Sequence, residues 1–307
     1  MMENVLSRLT QEPSVNQRWA LLYRLGSIAT PEDFVRLTSP GPEPWRSIPE
    51  WSLWVESVEP YYLMAGKSHP EAFRANALSQ WILHYSDPRF PGSEKMLVVG
   101  LTGGADRFMV PLCAILQCFD AASTDVLVAR SSILSTRNNI TLSFADFIEE
   151  IRKQVARLGE YRRIVVLGTS LGGLPALIAG DMLGAESVVA AGAGSPYESW
   201  WVDFARFDPH EYLRTSDFRL SATLVVSVDS PADIAHVREI IDLIPCQTCC
   251  LFPDKKKIGH ISLAAMAYEG DLRPFLEERL LGTRNAAAGP PKLNRKWMPP
   301  TLRYRQS

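Results

Sequence analysis

The chain has 307 residues, of which 46% are hydrophobic and 21% charged, with a net charge of −2. That length holds one large α/β domain plus a small appendage, and the composition is that of an ordinary globular protein. The charge balance excludes a broad electrostatic footprint for nucleic acid, and no apolar run reaches the roughly 18 residues of a membrane-spanning helix.

In chain order, residues 3–38 read as helical: Val5, Leu6 and Leu9, then Trp19, Leu21, Leu22 and Leu25, then Phe34, Val35 and Leu37 recur at helical spacing. Thr30-Pro31-Glu32-Asp33 is a helix start, with a cap, a proline and then acids. Ser39-Pro40-Gly41-Pro42-Glu43-Pro44 breaks the pattern. Residues 1–45 are therefore expected to form a helical N-terminal extension, packed on a main domain at 46–282.

From about residue 50, strands and helices alternate. Strands are expected at 78–85, 96–101, 125–129, 164–167, 187–191, 223–228 and 248–252. Helices are expected at 111–119, 144–158, 171–183 and 234–244, with one long last helix from 261 to about 281. This alternation predicts a mostly parallel sheet covered on both faces. Residues 283–307 carry six Lys or Arg, no acid and four prolines. They read as an extended basic tail, a possible protein contact along with the N-terminal helices.

The N-terminus lacks a basic start followed by an apolar core, so no signal peptide is expected. Five cysteines, an odd count, then point to a reducing cytoplasm and free thiols. Cys246, Cys249 and Cys250 form a C-x-x-C-C cluster. The last two begin an apolar run and no second ligand pair accompanies them, so a buried strand is expected and no metal site.

Arg163-Ile164-Val165-Val166-Leu167-Gly168-Thr169-Ser170-Leu171-Gly172-Gly173 carries the chemistry. An apolar run ends in G-x-S-x-G and helix-forming residues follow, which is the strand, tight turn and helix of a nucleophile elbow. Ser170 then stands at the C-terminal edge of the sheet. The N–H of Leu171, at a helix N-terminus, is placed to hold an oxyanion.

A serine hydroxyl needs a base oriented by a third group. Of five histidines, His260 lies in the loop after the last expected strand, on the sheet edge that carries the elbow. The acid should follow the preceding strand. Asp229 at its end is the favoured candidate and Asp233, four residues on, the alternative; helix-start charge also explains Asp233. A second oxyanion donor is expected from the Thr102-Gly103-Gly104 backbone, where two glycines let N–H groups turn inward. Asp106 and Arg107 follow, as helix cap, ion pair or substrate contact.

The insertion at 195–219 holds Tyr197, Trp200, Trp201, Phe204, Phe207, Tyr212 and Phe218. It reads equally as a lid over an apolar substrate pocket and as aromatic packing on the body. In the first reading Tyr197, Trp200, Trp201 and Phe204 touch substrate.

The Gly168–Gly172 elbow with Ser170, the strand-end Asp229, the Gly259-His260 pair and the Gly103-Gly104 turn together resemble the α/β-hydrolase superfamily over roughly residues 50–282. The order Ser, Asp, His agrees. Two features depart from the pattern: Leu101-Thr102 stands where many members carry His-Gly, and Asp229-Ser230-Pro231-Ala232-Asp233 offers two acids. The resemblance implies an eight-stranded mostly parallel sheet, a Ser-His-Asp triad, no cofactor, and hydrolysis of an ester, thioester or amide through an acyl-enzyme. A cytoplasmic esterase or thioesterase acting on a small-molecule acyl substrate is the leading expectation. Acyl transfer to an alcohol or amine, or a non-catalytic binding role on the same fold, are the alternatives.

Overall fold

The computed structural model describes residues 1–134, 142–197, 207–244, 248–252 and 259–282. Its eight strands are β1 (Arg74–Ala77), β2 (Ile82–Ser86), β3 (Met96–Leu101), β4 (Thr124–Ala129), β5 (Arg163–Thr169), β6 (Ser187–Ala191), β7 (Ser221–Ser227) and β8 (Thr248–Phe252). They form one sheet in the order β1-β2-β4-β3-β5-β6-β7-β8. β1 and β2 run antiparallel to their neighbours, and every pair from β4 through β8 is parallel.

All residues of β3, β4 and β6 are buried. Unbroken apolar runs of this kind suit a parallel sheet whose two faces are both covered. Alternate residues serve opposite faces, as a pleat requires. Val98, Val126, Val165 and Leu167 join one apolar cluster, while Leu97, Val99, Leu127 and Val166 join the other.

The first face is covered by α1 (Met2–Gln11), α2 (Val15–Gly26), α3 (Pro31–Thr38), α4 (Pro49–Met64), α5 (Leu112–Gln117), α10 (Ser262–Tyr268) and α11 (Leu272–Arg279). The second is covered by α6 (Phe144–Leu158), α7 (Gly173–Met182), α8 (Pro209–Thr215) and α9 (Pro231–Leu243). Leu6, Leu22, Phe34 and Trp54 belong to the same apolar cluster as Val98 and Leu167. The N-terminal helices are thus part of the wall that covers the sheet. The start at Thr30 forms a reciprocal cap: Asp33 N–H donates to Thr30 Oγ1 and Thr30 N–H to Asp33 Oδ2, both at 3.1 Å.

Several elements differ from the sequence expectation: the strand expected at 78–85 is a turn at 78–81 followed by β2, and α8 lies inside the insertion at 195–219. α4 was not anticipated: Trp51, Trp54 and Val58 share its buried face, but Leu53 and Leu63 stand on the exposed side and blur the apolar stripe. β1, with the sequence RANA and every residue exposed, shows no alternation to read. The expected single last helix is two: α10 stops at Glu269-Gly270-Asp271, where Gly270 takes φ +77°. Cys249 and Cys250 lie in β8, beside Leu224 and Val225 of β7, while Cys246 is outside the described residues. No helix among the described residues is long and apolar enough to cross a membrane.

Candidate active site

β5 ends at Thr169, and the chain turns at Ser170 with φ +51°, a left-handed conformation that a residue with a β-carbon rarely takes. The turn closes only because two neighbours lack side chains. A Cβ on Gly168 would stand 2.3 Å from both Ala176 Cβ and Gly172 O. One on Gly172 would stand 2.4 Å from Leu101 O. Strand, turn and α7 are therefore in near contact, and Ser170 is held up at the C-terminal edge of the sheet.

His260 follows β8 in sequence and directly precedes α10. Its Nε2 lies 2.7 Å from Ser170 Oγ. Its Nδ1 lies 2.9 and 2.8 Å from the two carboxylate oxygens of Asp233. A carboxylate only accepts, so Nδ1 carries the proton and donates. Nε2 of the neutral ring is then free to accept from the Ser170 hydroxyl. The Asp233 hydrogen bond raises the His260 pKa above its ordinary value of 6.5, burial lowers it, and the Asp233 charge adds to the rise.

The carboxylate that His260 meets is that of Asp233, the alternative in the sequence reading, and not that of the favoured Asp229. The helix after β7 begins at Pro231, three residues earlier than expected, with Ser230 at the cap position. Asp233 therefore sits in the first turn of α9 and is buried, 5% exposed. Asp229 is exposed, and its N–H donates to Ser227 Oγ at 3.2 Å.

The Thr102–Gly104 loop also differs in detail from the expectation. Thr102 N–H donates to Ala129 O at 3.1 Å, and Gly103 N–H to Arg107 O at 2.8 Å. Both groups are spent on holding the loop. Gly104 is exposed, and among the described residues its N–H has no acceptor. Leu171 lies in the first turn after Ser170, where N–H groups have no intrahelical partner. Gly103 still matters by being small: a Cβ there would meet Ser170 Cβ at 3.2 Å.

Two residues at the site were not read from the sequence. Gly192 follows β6 with φ +57°, and a Cβ on it would lie 2.9 Å from Met109 Cε and 3.0 Å from His260 Cε1. Met109, itself at φ +64°, has Sδ 4.0 Å from Ser262 Oγ. The imidazole edge and the Met109 methyl both close on the bare Gly192. Neither leaves a mark in sequence, because each acts by its place in the fold.

Asp106 is held by Arg130, whose Nε donates to Oδ2 at 2.8 Å, and Arg24 Nη1 lies 3.8 Å away. Burial raises its carboxyl pKa, with Ser132 and Arg24 acting against the rise. It ties the loop after β3 to the end of β4. Of the aromatic insertion, Trp200, Trp201 and Phe204 lie outside the described residues. Tyr197 is exposed, with its ring 4.6 Å from that of His210. Phe207 stacks on Phe144 at 5.0 Å, Tyr212 donates to Asp181 at 2.7 Å and Phe218 is buried. These last three pack on the body.

An eight-stranded, mostly parallel sheet with a strained serine after β5, an acid after β7 and a histidine after β8 defines the α/β-hydrolase fold. No protein-family model matches the sequence, and no curated protein does. Solved structures do resemble it. An alpha/beta hydrolase enzyme from the metagenome of sediments from the lagoon of Mar Chica, Morocco, shares 17% identity, with TM-score 0.48 over 67% of this chain and 99% of that one. A 2,6-dihydroxy-pseudo-oxynicotine hydrolase shares 13%, with TM-score 0.49 over 92% and 87%. The capsule O-acetyltransferase of Neisseria meningitidis serogroup A shares 10%, with TM-score 0.45 over 68% and 97%.

Proposed function

We propose that the protein is a serine hydrolase that cleaves a carboxylic ester or thioester through an acyl-enzyme on Ser170. The observation that carries this reading is the continuous hydrogen-bonded line from Ser170 Oγ through His260 to Asp233, with the serine raised on a strained turn. In this reading Ser170 Oγ attacks the acyl carbonyl as His260 Nε2 takes its proton. The imidazolium is stabilised by Asp233. The N–H groups of Leu171 and Gly104 receive the oxyanion. His260 then returns the proton to the leaving group, the acyl–oxygen or acyl–sulfur bond breaks, and water repeats the sequence to free the acid.

The test is intact-mass spectrometry after treatment with a fluorophosphonate, on the wild type and on Ser170→Ala. One adduct on the wild type and none on the variant supports the reading. No adduct on folded wild type removes it. Ester and thioester panels with a competing alcohol or amine then show whether water or another nucleophile takes the acyl group.

A further inference from the structure

Arg107 is anchored at the nucleophile by its main chain. Its carbonyl accepts from Gly103 N–H at 2.8 Å and from the hydroxyl of Thr169, the residue before Ser170, at 3.3 Å. Its side chain runs toward α2 and α4. The guanidinium carbon lies 5.5 Å from the centre of the Tyr23 ring. A Cβ on Gly26 would stand 3.9 Å from that carbon and 3.6 Å from Trp54 Nε1.

The surroundings lack a counter-charge. Among the described residues no carboxylate comes within ion-pair distance of Arg107, while Arg18 and Arg163 pair with Glu50 and Glu186. Arg107 Nε is buried without an acceptor, and so is the indole Nε1 of Trp54. The groups that act electrostatically on the guanidinium are Tyr23, Cys113 and Tyr61. Burial pushes the Cys113 thiol up to about 12. Burial, together with the hydrogen bond to Tyr268, raises the Tyr61 phenol. Both stay neutral near pH 7. A guanidinium cannot shed its charge under these conditions, so it is left half-buried with donors to spare.

A half-buried guanidinium with no carboxylate partner among the described residues, carried on a loop whose main chain braces the strand end before the nucleophile, is complementary to an anion brought by a ligand. We propose that Arg107 binds an oxyanionic group of the substrate, a carboxylate or phosphate monoester, and so selects acyl compounds that carry negative charge. This deepens the serine-hydrolase reading and rests on it for the chemistry, but the binding step does not depend on turnover. Tyr23 stacks against the guanidinium, and the buried Trp54 indole N–H is a second donor in the same region.

The test is calorimetric titration of the full chain carrying Ser170→Ala, with monomethyl succinate and with methyl phosphate as anionic probes and methyl butyrate as the neutral one. The expected result is binding of at least one anion, weakened about tenfold or more by Arg107→Gln. Arg107→Lys should weaken it less, because charge remains while the planar fork is lost. Which anion binds separates a carboxylate from a phosphate. Absence of binding by both anions, or equal affinity in Arg107→Gln, overturns the proposal. If Arg107→Gln fails to fold, Arg107→Lys decides: unchanged affinity for both anions overturns it.

A kinetic comparison on the Ser170 enzyme adds a second reading. The ratio of kcat/KM for mono-4-nitrophenyl succinate over 4-nitrophenyl butyrate should fall in Arg107→Gln. A purely structural arginine would lower both rates together, and that outcome counts against the proposal. Missing fluorophosphonate labelling would remove the hydrolase reading alone, since the titration still reports on Arg107.

Discussion

His260 Nδ1 stands between the two carboxylate oxygens of Asp233, 2.9 and 2.8 Å away, and Asp233 is fixed in the first turn of α9. The expected consequence is a sharp division between two acids four residues apart. Asp233→Asn should lower kcat on ester substrates by about 10,000-fold, because an amide supports the wrong imidazole tautomer. Asp229→Asn should leave kcat within about twofold, as expected of a surface change remote from the chemistry. Steady-state kinetics of the two variants checks both.

The pH profile follows from the same contact. The Asp233 hydrogen bond raises the His260 pKa above 6.5. The base must be neutral to take the serine proton, so kcat/KM should rise with pH to a plateau, with a midpoint above 6.5. Asp233→Asn should move that midpoint down. For stability the sign is the reverse: a group whose folded pKa is raised contributes fully below its unfolded value of 6.5 and loses that contribution as pH rises through the folded pKa. The melting temperature of wild type minus that of Asp233→Asn should therefore shrink from mildly acid to alkaline pH.

Backbone strain at Ser170 gives a test that needs no substrate. A residue with a β-carbon held at φ +51° costs about 1–2 kcal/mol, and glycine is free of that cost. Ser170→Gly and Ser170→Ala both lack the nucleophile. Ser170→Gly should still be the more stable of the two by about 1 kcal/mol, after allowing for the extra freedom of glycine in the unfolded chain. Denaturant titration of the pair would expose an unstrained turn by showing alanine equal or better.

At the opposite edge of the sheet lies a buried ion pair. Lys95 is fully buried, and its Nζ donates to Asp125 Oδ1 at 2.8 Å and to the Asp87 carbonyl at 2.7 Å. Tyr161 donates to the other Asp125 oxygen at 3.0 Å. Burial pushes the Asp125 carboxyl up, and hydrogen bonds to His84 and Lys95 more than offset it, leaving its pKa lowered. Lys95→Met strands that carboxylate and should destabilise the fold by about 3–5 kcal/mol. Chemical denaturation measures this, and no loss would mean that the pair is dispensable.

Much of the sheet was legible because parallel strands are written as apolar runs: β3, β6 and β8 were read to the residue. So was α6, whose Phe144, Phe147, Ile148, Ile151 and Val155 make one stripe. Ser170 and His260 were legible through punctuation, a G-x-S-x-G turn and a position after the last strand. The acid was misjudged although its signal was present. Ser230-Pro231-Ala232-Asp233 repeats the pattern of cap, proline and acid in Thr30-Pro31-Glu32-Asp33 that was read as a helix start. What sequence could not show is where backbone N–H groups go. Thr102 and Gly103 look like oxyanion donors until their bonds to Ala129 and Arg107 are seen.

α4 packs on α10, the helix that begins just after His260, and Arg273 Nη1 reaches the Ala65 carbonyl across a separation of 208 residues. A ribosome completes the aromatic helix α4 long before it makes the segment that covers it. Until then Tyr61, whose ring lies 4.7 Å from that of Tyr268, lacks part of its final cover, the kind of exposed apolar surface that chaperones hold. The seating of α10, and of His260 just before it, therefore waits on two segments far apart in the chain.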